Sequence, residues 1–149
     1  MKDNLCFIDT NIWLYTLLDP QNNQDKKKSI LADRLLDTWY SKICISSQVI
    51  NEVLNNMSSK YKTSFTDKDR EAIMQYFYHA NAIFSVIDIN ESVIKKALHL
   101  RTQYPKVFNY WDSIIVATAL ESECNLLFSE DMHNGFMIEN RLKIINPFV

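Results

Sequence analysis

Two aspartates in this sequence each follow a short apolar run, a position at which carboxylates can bind a metal ion. Asp9 directly follows the run Leu5–Ile8, and Asp131 comes shortly after the run Leu126–Phe128. If both runs are parallel strands, both acids lie at the carboxyl edge of the sheet, where ligand sites form. Each acid also has a simpler interpretation, since aspartate favours helix N-caps and exposed loops. The residues alone leave both interpretations open.

Asp112 stands at the start of a segment that is apolar on nearly every helical face and that runs to Leu120. At about 100° per residue its side chain lies over Ile115, Val116 and Ala119, so we expect it to be buried. A buried, isolated carboxylate costs several kcal/mol or takes up a proton. Helix capping by Asp112 would supply part of the compensation, and a bound cation would supply more.

Glu52 lies in a helical segment whose apolar stripe includes Val49 and Val53. It stands about 60° beyond Val49 around the helix, at the margin of that stripe. Helical phase alone therefore predicts an ordinary surface glutamate.

Apolar runs and helical patterns alternate along the chain, which is typical of a parallel sheet covered on both faces. The candidate strands are Leu5–Ile8, Ile43–Ser46, Phe84–Ile89, Leu126–Phe128 and Leu142–Ile145. The candidate helices are Ser29–Ser41, Ser47–Ser59, Asp67–His79, Glu91–Tyr104 and Asp112–Glu123, with a shorter helical pattern over Asn11–Tyr15. We predict an exposed, mobile loop over the polar segment Asp19–Lys28.

Composition narrows the function classes. The chain has 149 residues, of which 47% are hydrophobic and 23% charged, with a net charge of −2. We therefore expect one globular domain over residues 1–149 and no bulk attraction to polyanions. No apolar run approaches the roughly 18 residues of a membrane span, and the first run is too short for a signal peptide core. We expect a cytoplasmic protein with no membrane partner.

Other site classes are excluded by residue usage. Gly135 is the only glycine, which rules out a P-loop and a dinucleotide-binding turn. The cysteines Cys6, Cys44 and Cys124 form no C-x-x-C pair and lie in or beside apolar runs. We predict that they are buried, reduced thiols.

Five segments in this order resemble the PIN-domain nucleases, in particular VapC-type toxins of toxin–antitoxin pairs. They are Phe7–Tyr15, Glu52, Trp111–Ala119, Leu126–Asp131 and Asn146–Phe148. Their order and spacing match the family pattern over essentially all 149 residues. The resemblance implies a three-layer α/β/α sandwich with a mainly parallel central sheet of about five strands.

The resemblance also implies a metal-dependent endoribonuclease, the toxin of a type II pair, that uses Mg²⁺ or Mn²⁺. Carried over position by position, the acids of the site are Asp9, Glu52, Asp112 and Asp131, with Asn11 and Ser129 as neighbouring polar residues. Glu130 has no assigned role. The implied partners are an RNA substrate (transfer RNA is a common target in the family), a small cognate antitoxin and a second copy of the chain.

Four close carboxylates suit a hard dication that prefers oxygen ligands. Each close pair repels by roughly 3–4 kcal/mol at ~4–5 Å, so we predict raised carboxyl pKa values without metal. We assign Asp9 and Asp112 as direct ligands and expect Glu52 and Asp131 to bind directly or through water. We expect Asn11 to orient Asp9 or the attacking water.

Several interpretations remain open beside this one. The basic residues Lys26–Lys28, Lys95, Lys96, Arg101 and Lys106 can track an RNA backbone or can be ordinary solvated side chains. Tyr110 and Trp111 can stack on an unpaired base or pack in the core. An aspartyl-phosphate enzyme usually has a second acid two residues after the first, and here that residue is Asn11. A non-catalytic PIN-like module that binds RNA or protein is the main alternative function.

Overall fold

The computed structural model describes residues 4–61, 64–79 and 83–149. Its strands are β1 (Cys6–Ile8), β2 (Ile43–Ser46), β3 (Phe84–Ile87), β4 (Leu126–Phe128), β5 (Met137–Ile138) and β6 (Leu142–Ile145). Its helices are α1 (Thr10–Leu17), α2 (Asn23–Thr38), α3 (Ser47–Tyr61), α4 (Asp67–His79), α5 (Glu91–Gln103) and α6 (Tyr110–Glu121). The predicted alternation of strands and helices is confirmed.

The strands form one sheet in the order β3-β2-β1-β4-β6-β5. All neighbouring pairs are parallel except β5 and β6. Strand β1 is central and pairs with β4 in a register that aligns Ile8 with Phe128, so the residues after these two strands emerge side by side. The mainly parallel α/β architecture, consistent with a three-layer sandwich, is the predicted fold class.

The sixth strand was not predicted, because β5 contains only two residues. It joins β6 through a tight turn in which Glu139 and Asn140 have φ values of 50° and 56°. The Arg141 N–H donates to the Ile138 carbonyl at 3.1 Å and closes the turn. Positive φ at both central residues is the geometry of a hairpin turn that matches strand twist.

The prediction of a loop over Asp19–Lys28 is wrong for its second half, because α2 begins at Asn23. The side chain of Asn22 caps this helix by accepting a hydrogen bond from the Asp25 N–H at 2.8 Å. The residues that follow are mostly charged and suit an exposed first turn, so their polarity is compatible with helix as well as with loop.

The core lies on both sides of the central strands. Strand β1 is fully buried, and in α6 every residue from Ser113 to Leu120 is buried, which explains why that helix is apolar on nearly every face. The three cysteines are buried and form no disulfide, as predicted. Among the described residues, no helix is both long and apolar enough to cross a membrane.

Candidate active site

Asp9 and Ser129 lie side by side, because each directly follows one of two paired parallel strands. The Asp9 N–H donates to the Phe128 carbonyl at 2.9 Å, which continues the ladder of β1 and β4 by one residue. The Ser129 hydroxyl donates to Asp9 Oδ2 at 2.9 Å. The expectation that the carboxyl edge of the sheet positions Asp9 is therefore confirmed.

Asp9 is at the same time the N-cap of α1, since its Oδ1 accepts from the Thr10 N–H at 2.7 Å. The N-cap interpretation left open by the sequence is therefore confirmed, and it is compatible with the position of Asp9 at the carboxyl edge of the sheet. Burial raises the pKa of Asp9 to about 6, the bonds from Thr10 and Ser129 act in the opposite direction, and the charges of Glu52 and Asp112 add to the increase. The predicted rise of this pKa is confirmed, although burial contributes more to it than carboxylate repulsion.

Glu52 faces this edge from α3. The Thr10 hydroxyl donates to Glu52 Oε2 at 2.6 Å, and Gln48 Nε2 donates to Glu52 Oε1 at 2.9 Å. Glu52 is half-buried and hydrogen-bonded on both oxygens, so the ordinary surface glutamate predicted from helical phase is wrong. The contact with Thr10, which directly follows Asp9, brings the two acids into one neighbourhood.

Asp112 lies in the first turn of α6 and does not cap that helix. The N-cap is Asn109, whose Oδ1 accepts from the Asp112 N–H at 2.8 Å. The capping interpretation of Asp112 is therefore wrong. Its carboxylate is half-buried, and no helix-capping bond offsets the cost of burying it. Burial raises the pKa of Asp112, and the charges of Glu52 and Asp131 raise it further.

Asp131 is exposed and is fixed by Asn11, whose Nδ2 donates to Asp131 Oδ2 at 2.5 Å. This contact differs from the expectation that Asn11 orients Asp9 or the attacking water. Asn11 is the second residue of α1 and its amide instead reaches the loop after β4. Asn11 therefore connects α1, which begins beside Asp9, to the loop that carries Asp131.

The four predicted acids lie close enough for their charges to act on one another: those of Glu52 and Asp112 act on Asp9, and those of Glu52 and Asp131 act on Asp112. They do not form a finished ligand set. Among the described residues, no three carboxylate, imidazole or thiol groups lie in an arrangement that would hold a metal ion as it stands. The donors are carboxylate oxygens, which Mg²⁺ and Mn²⁺ prefer, and Mg²⁺ usually keeps several waters and needs only one or two carboxylates. The residues present therefore fit a hydrated dication held at a few points.

Comparison with known proteins gives the family. The model of the PIN domain family matches residues 6–133. The chain belongs to the PIN domain family. This confirms the membership predicted from the ordered acidic segments.

Solved structures with the same fold include components of toxin–antitoxin systems. The chain is similar to one from a toxin–antitoxin complex of Klebsiella pneumoniae, with 21% identity, coverage of 95% of this chain and 97% of that chain, and a TM-score of 0.65. FitAcB of Neisseria gonorrhoeae is 16% identical, with coverage of 97% of this chain and 99% of that chain and a TM-score of 0.66. VapC20 of Mycobacterium tuberculosis, a sarcin–ricin loop cleaving toxin, is 13% identical, with coverage of 85% of this chain and 91% of that chain and a TM-score of 0.63. The sequence has no match among curated proteins.

Glu130 of this PIN domain contacts a basic side chain instead of the acids. It forms an ion pair with Lys28 of α2, and the Tyr15 hydroxyl donates to Glu130 Oε2 at 3.0 Å. The hydrogen bond to Glu130 raises the pKa of Lys28. Lys28, predicted as a solvated or RNA-tracking residue, is thus half-buried and committed to this pair.

The closing motif of the PIN domain completes the same cluster. Asn146 Nδ2 donates to the Glu130 carbonyl at 3.3 Å, and the ring of Phe148 packs edge-on against Tyr15 at 5.3 Å. The segment therefore supports the loop that carries Asp131 and contributes no group to the acids themselves.

Three polar residues of the site were missed at the sequence level, namely Thr10, Gln48 and Asn109. The spacing Asn109-x-x-Asp112 is a capping pattern that was open to recognition. Thr10 carries no such local signal, because its partner Glu52 is brought to it only by the packing of α1 against α3. Gln48 lies one helical turn before Glu52 on α3, so that contact follows from i, i+4 spacing, whereas its bond to the Trp111 carbonyl depends on tertiary packing.

Proposed function

We propose that this PIN domain is a divalent-metal-dependent endoribonuclease that hydrolyses RNA phosphodiester bonds. The observation that carries the proposal is the gathering of Asp9, Glu52, Asp112 and Asp131 from distant segments at one sheet edge. Burial, and after it the charges of the neighbouring acids, raises the pKa values of Asp9 and Asp112, which favours uptake of a proton or a cation.

Asp9 and Asp112 are proposed as the groups that would hold Mg²⁺ or Mn²⁺, with Glu52 and Asp131 acting directly or through water. When bound, such an ion lowers the pKa of a coordinated water and neutralises charge on the phosphate. Ser129 and Thr10 hold Asp9 and Glu52 in place through their hydroxyl groups. Asn11 does the same for Asp131 through its amide. These polar residues act by positioning the acids.

The biological role that we propose is that of a toxin neutralised by a small cognate antitoxin. The support is that the solved structures with this fold include a toxin–antitoxin complex and a sarcin–ricin loop cleaving toxin. A homodimer is proposed only on the resemblance to VapC-type toxins. Co-expression with the product of an adjacent short reading frame should yield a stable complex in which RNA cleavage is suppressed.

Cleavage of end-labelled RNA tests the enzymatic proposal. A pool that includes transfer RNA and ribosomal RNA fragments should be cut with Mg²⁺ or Mn²⁺ and left intact with a chelator. Asp112→Asn should reduce the rate by more than about 100-fold, since loss of groups that only support a ligand already costs about 10- to 100-fold. Asp37→Asn, the same change at an exposed acid beside the first residues of β2 and β3, and so at the opposite edge of the sheet, is the matched control.

Calorimetric titration with Mn²⁺ separates metal binding from activity. Wild type should bind the ion and Asp112→Asn should bind it more weakly. The alternative function is a module that binds RNA or protein without cleaving. It predicts that RNA is retained in a gel shift but not cut, and that Mn²⁺ produces no binding heat.

A further inference from the structure

A cavity of about 670 Å³ opens beside the acids, between α3, α5 and α6. This volume is typical of small-molecule sites, which span about 300–1,000 Å³. Its lining includes Asn51, Glu52, Asn55, Ile94, Tyr110 and Trp111. Glu52 is the only one of the four acids in that lining, so the cavity adjoins the proposed reaction centre without coinciding with it.

The lining combines flat aromatic surface with side-chain amides. The Tyr110 and Trp111 rings meet edge-to-face with centroids 5.2 Å apart, and 63% of the Trp111 surface is exposed. Asn51 and Asn55 are one helical turn apart on α3 and are both exposed. An unpaired nucleobase presents an apolar face for stacking and a polar edge for hydrogen bonds, and such a lining meets both needs.

The charge of the lining favours a base over a phosphate. Among the described residues, no lysine or arginine lines this cavity, and its one ionisable acid is Glu52. A phosphate group would be repelled by that carboxylate, whereas a neutral base would not.

Gln48 also lines the cavity and lacks a partner for one of its atoms. Its Nε2 donates to Glu52 Oε1 at 2.9 Å and to the Trp111 carbonyl at 3.2 Å, which fixes the orientation of the amide. Its Oε1 is buried and accepts no hydrogen bond from the described residues. An unpaired buried acceptor is costly, so a ligand with an N–H donor that reaches this atom after a small shift of the lining is favoured.

We propose that this cavity binds one unpaired nucleobase of the RNA that flanks the scissile phosphate, by stacking on Trp111 and hydrogen bonding to Asn51 and Asn55. The proposal rests on the proposed nuclease function and specifies how the substrate is held. It requires a single-stranded or splayed nucleotide at the cleavage site.

The test uses two single-stranded oligoribonucleotides, one natural and one with an abasic ribose at the nucleotide that flanks the cut. Wild type should have a higher KM for the abasic substrate. Trp111→Ala should raise KM for the natural substrate by about 5- to 150-fold, with a smaller effect on kcat, and should abolish the difference between the substrates. Trp111→Phe keeps an aromatic ring and should retain most of the discrimination.

Tyr40→Ala is the matched control, because Tyr40 is also 63% exposed but lies outside this cavity. Its KM for both substrates should be unchanged. Thermal unfolding of each variant checks that the fold is intact.

Binding without cleavage distinguishes this proposal from the nuclease proposal. In a chelator, the natural oligonucleotide should quench tryptophan fluorescence more than the abasic one, since Trp111 is exposed, whereas Trp13 is fully buried and Trp39 is partly buried outside this cavity. Equal quenching overturns the cavity proposal. Failure of wild type to cut any RNA, with base-dependent quenching intact, overturns the nuclease function alone. If Trp111→Ala changes the oligomeric state and leaves base dependence intact, the surface is a protein interface and the proposal is wrong.

Discussion

Replacement of Asp9 by asparagine should stabilise the metal-free protein at neutral pH while it abolishes the proposed activity. The Asp9 side chain is 9% exposed, and burial raises its pKa from 3.8 to about 6. A group whose pKa is higher in the folded state favours folding only while it is protonated. Its contribution is therefore fully present below about pH 4 and is lost as the pH rises through about 6.

The interval between 3.8 and about 6 corresponds to about 3 kcal/mol of unfolding free energy at neutral pH. Asparagine removes this cost and can preserve the local bonds. Its carbonyl oxygen can accept from the Thr10 N–H, and the Ser129 hydroxyl can rotate to accept from its amide. We expect a gain of about 1–3 kcal/mol at pH 7, or several degrees in Tm for a chain of this size.

Urea unfolding of wild type and Asp9→Asn in a chelator, at a series of pH values from 4 to 8, measures this effect. The two curves of unfolding free energy should converge near pH 4 and separate between pH 4 and pH 7. Asp88→Asn, at an exposed position, should follow wild type throughout. Saturating Mn²⁺ should stabilise wild type and not Asp9→Asn. A destabilised Asp9→Asn at pH 7, or a difference independent of pH, would refute the reasoning.

Three further predictions concern the residues that support the acids. Thr10→Val removes the hydroxyl bond to Glu52 and should slow RNA cleavage about 10- to 100-fold, whereas Thr10→Ser should restore most of the rate. Lys28→Met leaves the half-buried carboxylate of Glu130 without its cation and should lower the unfolding free energy, measured in urea, by about 1–3 kcal/mol. Adding Glu130→Gln to the same chain should recover part of the lost free energy. Asn109→Ala removes the N-cap of α6 and should lower the free energy of unfolding by about 1 kcal/mol, measured by thermal unfolding. Asn109→Asp should lower it little. Equal losses in both variants would contradict the capping role.

The sequence predicted the elements well where the pattern is local. The runs of β2, β4 and β6 and the full extent of α4 are observed as predicted, because continuous apolar strands and amphipathic periodicity are written in consecutive residues. The start of α2 and the two residues of β5 were missed. A charged helical turn resembles a loop in composition, and so short a strand is defined by its hairpin partner.

The neighbouring acids Glu130 and Asp131 show the limit of local reasoning. They are adjacent in the sequence, yet one carboxylate pairs with Lys28 and the other with Asn11. Nothing within a few residues of either acid indicates this division, because both partners lie more than a hundred positions earlier.

By itself, the sequence determined which acids are candidates and that two of them follow strands of a parallel sheet. The position of these two acids follows from the sequence, because a residue directly after a parallel strand lies at the carboxyl edge of the sheet. Only the tertiary structure decided that Glu52 faces the site and that Asn11 binds Asp131. These outcomes depend on how helices pack over the sheet, and packing brings together side chains whose separation along the chain carries no local pattern.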